Sequence, residues 1–200
     1  MLDKFRAYYS KQKLFSADDK ILLAVSGGVD SMVMMHLMHE DKMNIGVAHC
    51  NFQLRGAESD ADEILVRKTA LELGIQYLFE RFNTKAYSQE HGINIQLAAR
   101  ELRYSWFEKV LKTQGFDRVA TAHHGSDQTE TILYNLIKGS GISGLRGIPV
   151  KNSQVVRPLL FASRTEIIEY AKQNNITWRE DKSNEDNKYT RNLIRNSIIP

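Results

Sequence analysis

Ile21-Leu22-Leu23-Ala24-Val25-Ser26-Gly27-Gly28-Val29-Asp30-Ser31 runs without a spacer into Met32-Val33-Met34-Met35-His36-Leu37-Met38. The first apolar run is short and β-branched at its ends, which predicts one buried strand over residues 21–25. The second predicts a mostly buried helix over residues 31–40. A strand, a tight glycine turn and a helix in succession aim several backbone N–H groups and the positive end of a helix dipole at one point, an anion site. Gly27 and Gly28 let the backbone approach a phosphate, and Ser26 and Ser31 add hydroxyl donors. Asp30 places a carboxylate where a phosphate would sit, which is repulsive unless Mg²⁺ bridges the two. The alternative is an ordinary strand-to-helix turn with serine as its cap. The turn carries no Gly-Lys-Ser/Thr and no Gly-x-Gly-x-x-Gly, so it is neither a Walker A loop nor a dinucleotide fingerprint.

Working outward, 200 residues suffice for one sizeable core, and 42% hydrophobic with 26% charged residues is a globular composition. A net charge of +3 permits nucleic-acid contact without requiring it. Cys50, the single cysteine, excludes a disulfide framework and any Cys-x-x-Cys pair within this chain. No stretch reaches the ~18 apolar residues of a membrane span, and the first residues are no signal peptide, so a cytoplasmic location is expected. Strands are predicted over 21–25, 45–49, 77–81, 118–122 and 155–157, with helices over 31–40, 59–73, 95–113, 128–138 and 164–174. Leu2, Phe5, Tyr8 and Tyr9 fit a short amphipathic helix packed on the main domain. Ser59 with Asp62 and Ser163 with Glu166 have capping-box spacing, and Gly74 and Gly115 sit where helices end. The alternation predicts an α/β fold: a three-layer, Rossmann-like parallel sheet with helices on both faces and a crevice beyond the carboxyl ends of the strands.

At those strand ends stand His49-Cys50-Asn51 and the group His123, His124 and Asp127. The latter suit orienting a nucleophile or holding a metal, or else a solvated loop. His36 and His39 read as packing or surface residues, and Cys50 as a small buried one. Arg100 and Arg103 share a helix face. They clamp phosphates if that face meets the crevice, and solubilise the chain if it meets water. The glycine-rich residues 139–149 are a candidate lid or substrate clamp, or a plain connection. Arg191 and Arg195 lie four apart on a predicted last helix, placed for phosphate contacts or for a solvated face.

Residues 26–31 resemble the pyrophosphate loop of the ATP pyrophosphatase superfamily, whose members cleave ATP between the α and β phosphates and transfer AMP. Further stretches are His49-Cys50-Asn51, Leu54-Arg55-Gly56, residues 98–104, 120–131 and 138–149, Arg157-Pro158-Leu159-Leu160, and 178–200 with Glu180, Asp181, Ser183, Asn184, Arg191, Asn192 and Arg195. With these the chain resembles the tRNA(Ile)-lysidine synthase family over nearly everything after Lys20. The resemblance implies an adenine nucleotide α-hydrolase-like sheet, ATP and Mg²⁺ as cofactors, and tRNA(Ile) with a CAU anticodon and free L-lysine as partners. Lysine would join the wobble cytidine through an adenylated intermediate, changing codon reading from AUG to AUA. It assigns Ser26, Gly27, Gly28, Val29, Asp30 and Ser31 to the phosphates, Asp30 also to Mg²⁺, and Arg103, with Arg100, to the charge of the adenylate. Asp127, near His123, would hold the base or accept the proton of lysine.

The resemblance also implies that residues 1–200 are one PP-loop catalytic domain of a longer chain, with tRNA-binding domains beyond. Gly125-Ser126 stands where many relatives have another acidic residue, which leaves a second metal ligand there unsupported. The oligomeric state is open, a homodimer included. A tRNA thiolase, a small-molecule AMP-forming amide ligase and a non-catalytic nucleotide-binding module are the competing readings. The first wants paired cysteines, the second should lack the tail arginines, and the third releases no pyrophosphate.

Overall fold

The computed structural model describes residues 1–16 and 18–180. Its centre is β1 (Ile21–Ala24), paired in parallel with β2 (Ile45–Asn51) on one side and β4 (Arg118–Thr121) on the other. β3 (Gln76–Arg81) extends the sheet beyond β2, and β6 (Val155–Val156) beyond β4, again in parallel. β5 (Lys151–Asn152) adds a short antiparallel edge, giving the order β3-β2-β1-β4-β6-β5. Side chains along a strand alternate between faces, and β1 divides accordingly. Ile21 and Leu23 join a core with Phe5 of α1 (Leu2–Gln12), the methionines of α2 (Val29–Glu40), Val66 of α3 (Ala57–Glu72) and Ile167 of α8 (Arg164–Gln173). Leu22 instead meets Trp106, Phe107, Val110 and Leu111 of α5 (Ile95–Gln114) on the opposite face. The expected three-layer sheet is therefore present. Among the described residues no helix is long and apolar enough to cross a membrane.

α2 is buried on almost every side, and only its polar residues reach the surface: His36 is half-buried and His39 exposed, as packing or surface residues should be. The Ser163 capping box forms, with Glu166 N–H donating to Ser163 Oγ at 3.2 Å and Ser163 N–H to Glu166 Oε2 at 2.9 Å. Gly115 caps α5 at φ 67, and Gly74, also at φ 67, follows Leu73, the C-cap of α3.

The structure departs from these expectations at one cap and adds one helix. Ser59 does not cap α3, which begins at Ala57 behind Gly56; its hydroxyl accepts from Arg55 N–H at 3.2 Å. Asp62 cannot complete a capping box because two arginines hold its carboxylate. α4 (Thr84–His91) was not expected: it buries only Thr84 and Ser88, so no apolar period marks it. Its ends are legible in hindsight, since Asn83 accepts from Ala86 N–H at 3.1 Å and Gly92 turns left-handed. The glycine-rich stretch is tied to its neighbour in the chain. It contains α7 (Gly141–Gly144), pinned to α6 (Gly125–Ile137) by Asn135 Nδ2 donating to Gly144 O at 3.0 Å and Ile148 N–H to Gln128 Oε1 at 2.7 Å. The proposed last helix with Arg191 and Arg195 lies outside the described residues.

Candidate functional site

β1 pairing continues one step beyond the strand, with Val25 N–H donating to Ala48 O at 3.0 Å, and then the chain turns. Gly27 sits at φ 98, a region side chains avoid. The Ser31 hydroxyl stitches the turn from inside, accepting from Ser26 N–H at 3.1 Å and donating to Gly28 O at 3.0 Å. The first turn of α2 begins at Val29, and its amides have no acceptor within the helix. Backbone donors and the helix dipole thus converge on the space in front of the turn, the physical requirement for an anion cradle.

That space is a crevice of about 330 Å³ at the carboxyl ends of β1, β2 and β4, closed on one side by α5. Ser26, Gly28, Asp30 and Ser31 form one wall; Thr121, His123 and Asp127 a second; Cys50, Phe52, Arg103 and Tyr104 a third. Two residues assigned to the phosphates do not line it: Gly27 backs onto α3, and Val29 is packed in the core. Their contribution is confined to backbone groups. Arg100 also stays outside, exposed, with its guanidinium 4.9 Å from the Tyr104 ring. A second hollow of about 700 Å³, among His36, His39, Glu40 and Tyr170, shares no residue with the crevice.

Arg103 projects from α5 with its guanidinium 5.2 Å from the Phe52 ring. Held by a ring, with no carboxylate partner among the described residues, it keeps its charge available to a ligand anion. His123 places Nδ1 3.0 Å from Thr121 Oγ1, and burial pushes its pKa down to about 4, against the opposing pull of Asp127. It is therefore neutral at physiological pH. The residue between the two carboxylates is His124, fully buried, with Nε2 3.7 Å from Asp30 Oδ1 and 3.6 Å from Asp127 Oδ2. Its own N–H donates to Asp127 Oδ2 at 2.9 Å, so the start of α6 positions that carboxylate. The i, i+3 spacing of His124 and Asp127 was the available signal. Glu130, buried one turn further along α6, is another polar group that reading strand ends alone did not single out.

The carboxylate oxygens of Asp30 are hard donors of the kind Mg²⁺ takes when it shares its shell with substrate phosphates. Among the described residues no group of three or more His, Cys, Asp or Glu could hold a metal by itself. Burial pushes the Cys50 thiol up to about 12, so without a metal it stays protonated at neutral pH.

Burial also lowers the pKa of His36 and His49. With His123 lowered from 6.5 to about 4, the unfolded chain binds more protons than the folded one between those values. Stability should then fall as pH drops through that window. The melting temperature is expected to decline from about pH 6.5 downward, less steeply in His123→Gln. A flat profile in circular dichroism melts would show that these imidazoles are solvated.

The PP-loop domain family matches residues 2–200. The chain is 46% identical over 201 residues to tRNA(Ile)-lysidine synthase of Chlorobaculum tepidum, covering 98% of this chain and 61% of that protein. It is also 46% identical over 193 residues to the Bacteroides thetaiotaomicron protein of the same name, covering 96% of this chain and 45% of that one. The chain thus spans roughly half the length of these curated relatives. Among solved structures, the U34-tRNA thiolase NcsA of Methanococcus maripaludis with its [4Fe-4S] cluster superposes with a TM-score of 0.74 at 20% identity, over 98% of this chain and 72% of NcsA. An NH3-dependent NAD synthetase of Campylobacter jejuni superposes at 0.60 and 17%, over 88% of this chain and 72% of the synthetase. Both share the fold. A match over almost every residue, on a sheet whose first β-to-α turn is a phosphate-type loop, has one meaning: this chain belongs to the PP-loop domain family.

Proposed function

We propose that this chain carries the chemistry of an AMP-forming ligase that joins lysine to the wobble cytidine of tRNA(Ile) with a CAU anticodon. One observation carries the reading: a backbone anion cradle, a ring-held arginine and two carboxylates on different helices open into a single crevice. Relatives at 46% identity that bear this activity in their name support it.

The cytidine O2 attacks the α-phosphorus of ATP, the bond to the β-phosphate oxygen breaks, and pyrophosphate leaves. Amides of the 26–31 turn hold the phosphates, and Arg103 balances the charge that builds on the transferring phosphoryl group. Asp30 would hold Mg²⁺, which supplies charge neutralisation on the triphosphate when bound. Adenylation is required because a ring carbonyl oxygen is a poor leaving group. The neutral ε-amine of lysine then attacks C2, the C2–O bond breaks, AMP departs, and the amine's proton passes to a base. We assign that duty to Asp127, whose carboxylate lines the crevice and is held by a bond from the His124 backbone N–H. A neutral His123 beside it offers a hydrogen bond without adding charge. An unpaired anticodon base reaches the crevice by leaving its stack. The reaction belongs to the cytoplasm, where tRNA and ATP meet.

Sulfur transfer by a cluster-bearing thiolase is disfavoured, since a cluster wants several thiolates and this chain has Cys50 alone. The test is incubation of the full-length protein with labelled lysine, ATP and a CAU-anticodon transcript. Label should enter the RNA with release of AMP and pyrophosphate in equal amounts, and only with that transcript. Label that remains in the free pool overturns the reading.

A further inference from the structure

Two carbonyls of the phosphate-type turn are tied from the side of α3. His49, buried on β2, has Nδ1 2.8 Å from Val25 O. A carbonyl only accepts, so the proton sits on Nδ1. Arg179 N–H donates to Gly27 O at 3.0 Å. The Arg179 side chain is seated on α3: its Nε donates to Asp62 Oδ1 at 2.8 Å, and its guanidinium also reaches Glu58. Asp62 is itself buried and steadied by Arg55, whose Nη2 donates to its other oxygen at 2.8 Å. Its Cβ lies 3.4 Å from where a side chain on Gly27 would begin.

In a planar trans peptide the carbonyl of one residue and the N–H of the next point in opposite directions. Drawing Gly27 O back toward Arg179 therefore turns Gly28 N–H to the opposite side, where it donates to Ser26 Oγ at 3.4 Å, and both Gly28 and Ser26 line the crevice. Without such a tie a Gly-Gly turn is soft, because glycine samples both signs of φ. An amide that must be oriented at the moment of binding weakens affinity; one oriented on folding does not.

We propose that Arg179, seated on Asp62, is a positioning residue for the phosphate loop, and that nucleotide affinity depends on it. This rests on reading the crevice as the ATP site. The arginine touches no substrate. It lies 152 residues from Gly27 in the chain and acts through one backbone bond.

The test is the affinity of the full-length protein for a non-hydrolysable ATP analogue, measured by calorimetry, with the KM for lysine and the melting temperature alongside. Arg179→Ala is expected to weaken analogue binding about tenfold while the KM for lysine stays within about twofold. Asp62→Asn should cause a similar loss, and the double variant no more than either, because both cut one tie. Arg179→Lys, which still pairs with Asp62, should recover part of the affinity. Wild-type affinity in Arg179→Ala, whatever its melting temperature, would show a purely structural ion pair, as would additive losses in the double variant. Should Arg179→Ala fail to fold, Asp62→Asn and Arg179→Lys decide by the same criterion. No analogue binding by the wild-type protein would remove the ATP reading itself, a result distinct from any variant's.

Discussion

Asp30→Asn is expected to cut pyrophosphate release about 10³-fold, or ~4 kcal/mol in barrier, with the fold intact. Asp30 stands in the first turn of α2, lines the crevice, and lies 3.7 Å from His124 Nε2. The substitution keeps shape and hydrogen-bonding capacity but deletes the negative charge that would bind Mg²⁺. A lost acidic residue in a helix's first turn costs ~0.3–1 kcal/mol of stability. The two effects differ enough to be separated by a pyrophosphate-release assay and a thermal melt on the same preparation. Turnover near wild type would remove Asp30 from the metal site and leave it a helix-terminal charge.

Arg103→Ala is the second large effect, an expected loss of about 10²-fold in the adenylation step. The guanidinium has the Phe52 ring for support, so its removal forfeits a contact worth only ~0.5–1 kcal/mol of stability. Rapid-quench measurement of AMP transfer, compared with the melting temperature, tells catalytic loss from structural loss. Arg103→Lys should rescue poorly, because an ammonium is a point charge without the planar fork that stacks and bonds at once. A fall of many degrees in melting temperature with normal adenylation would make Arg103 a packing residue.

The parts of the site that sequence showed are those built from neighbours in the chain. Ser26 to Ser31 follow a strand and open a helix, and their order alone dictates a converging set of amides. The parts it hid depend on contacts across the chain. His123 and His124 are adjacent and chemically alike, and only the position of His124 as the N-cap of α6 places it between Asp30 and Asp127. Asp62 has the spacing of half a capping box, but its carboxylate is taken by Arg55 and Arg179, which lie on either side of it in the chain and meet it only in the fold. α4 carries almost no buried apolar surface, so the period that marks other helices was missing there.

Local order in the chain was enough to establish a parallel, helix-covered sheet and a phosphate-type turn, because apolar spacing and glycine conformation act over a few residues. Which side chains meet was settled by the packing of the layers. α5 delivers Arg103, α6 and its N-cap deliver Asp127 and His124, and the residues after α8 deliver Arg179 behind Gly27. These partners are separated by tens of residues or more, and their meeting follows from how the helices pack on the sheet, which no short-range period encodes.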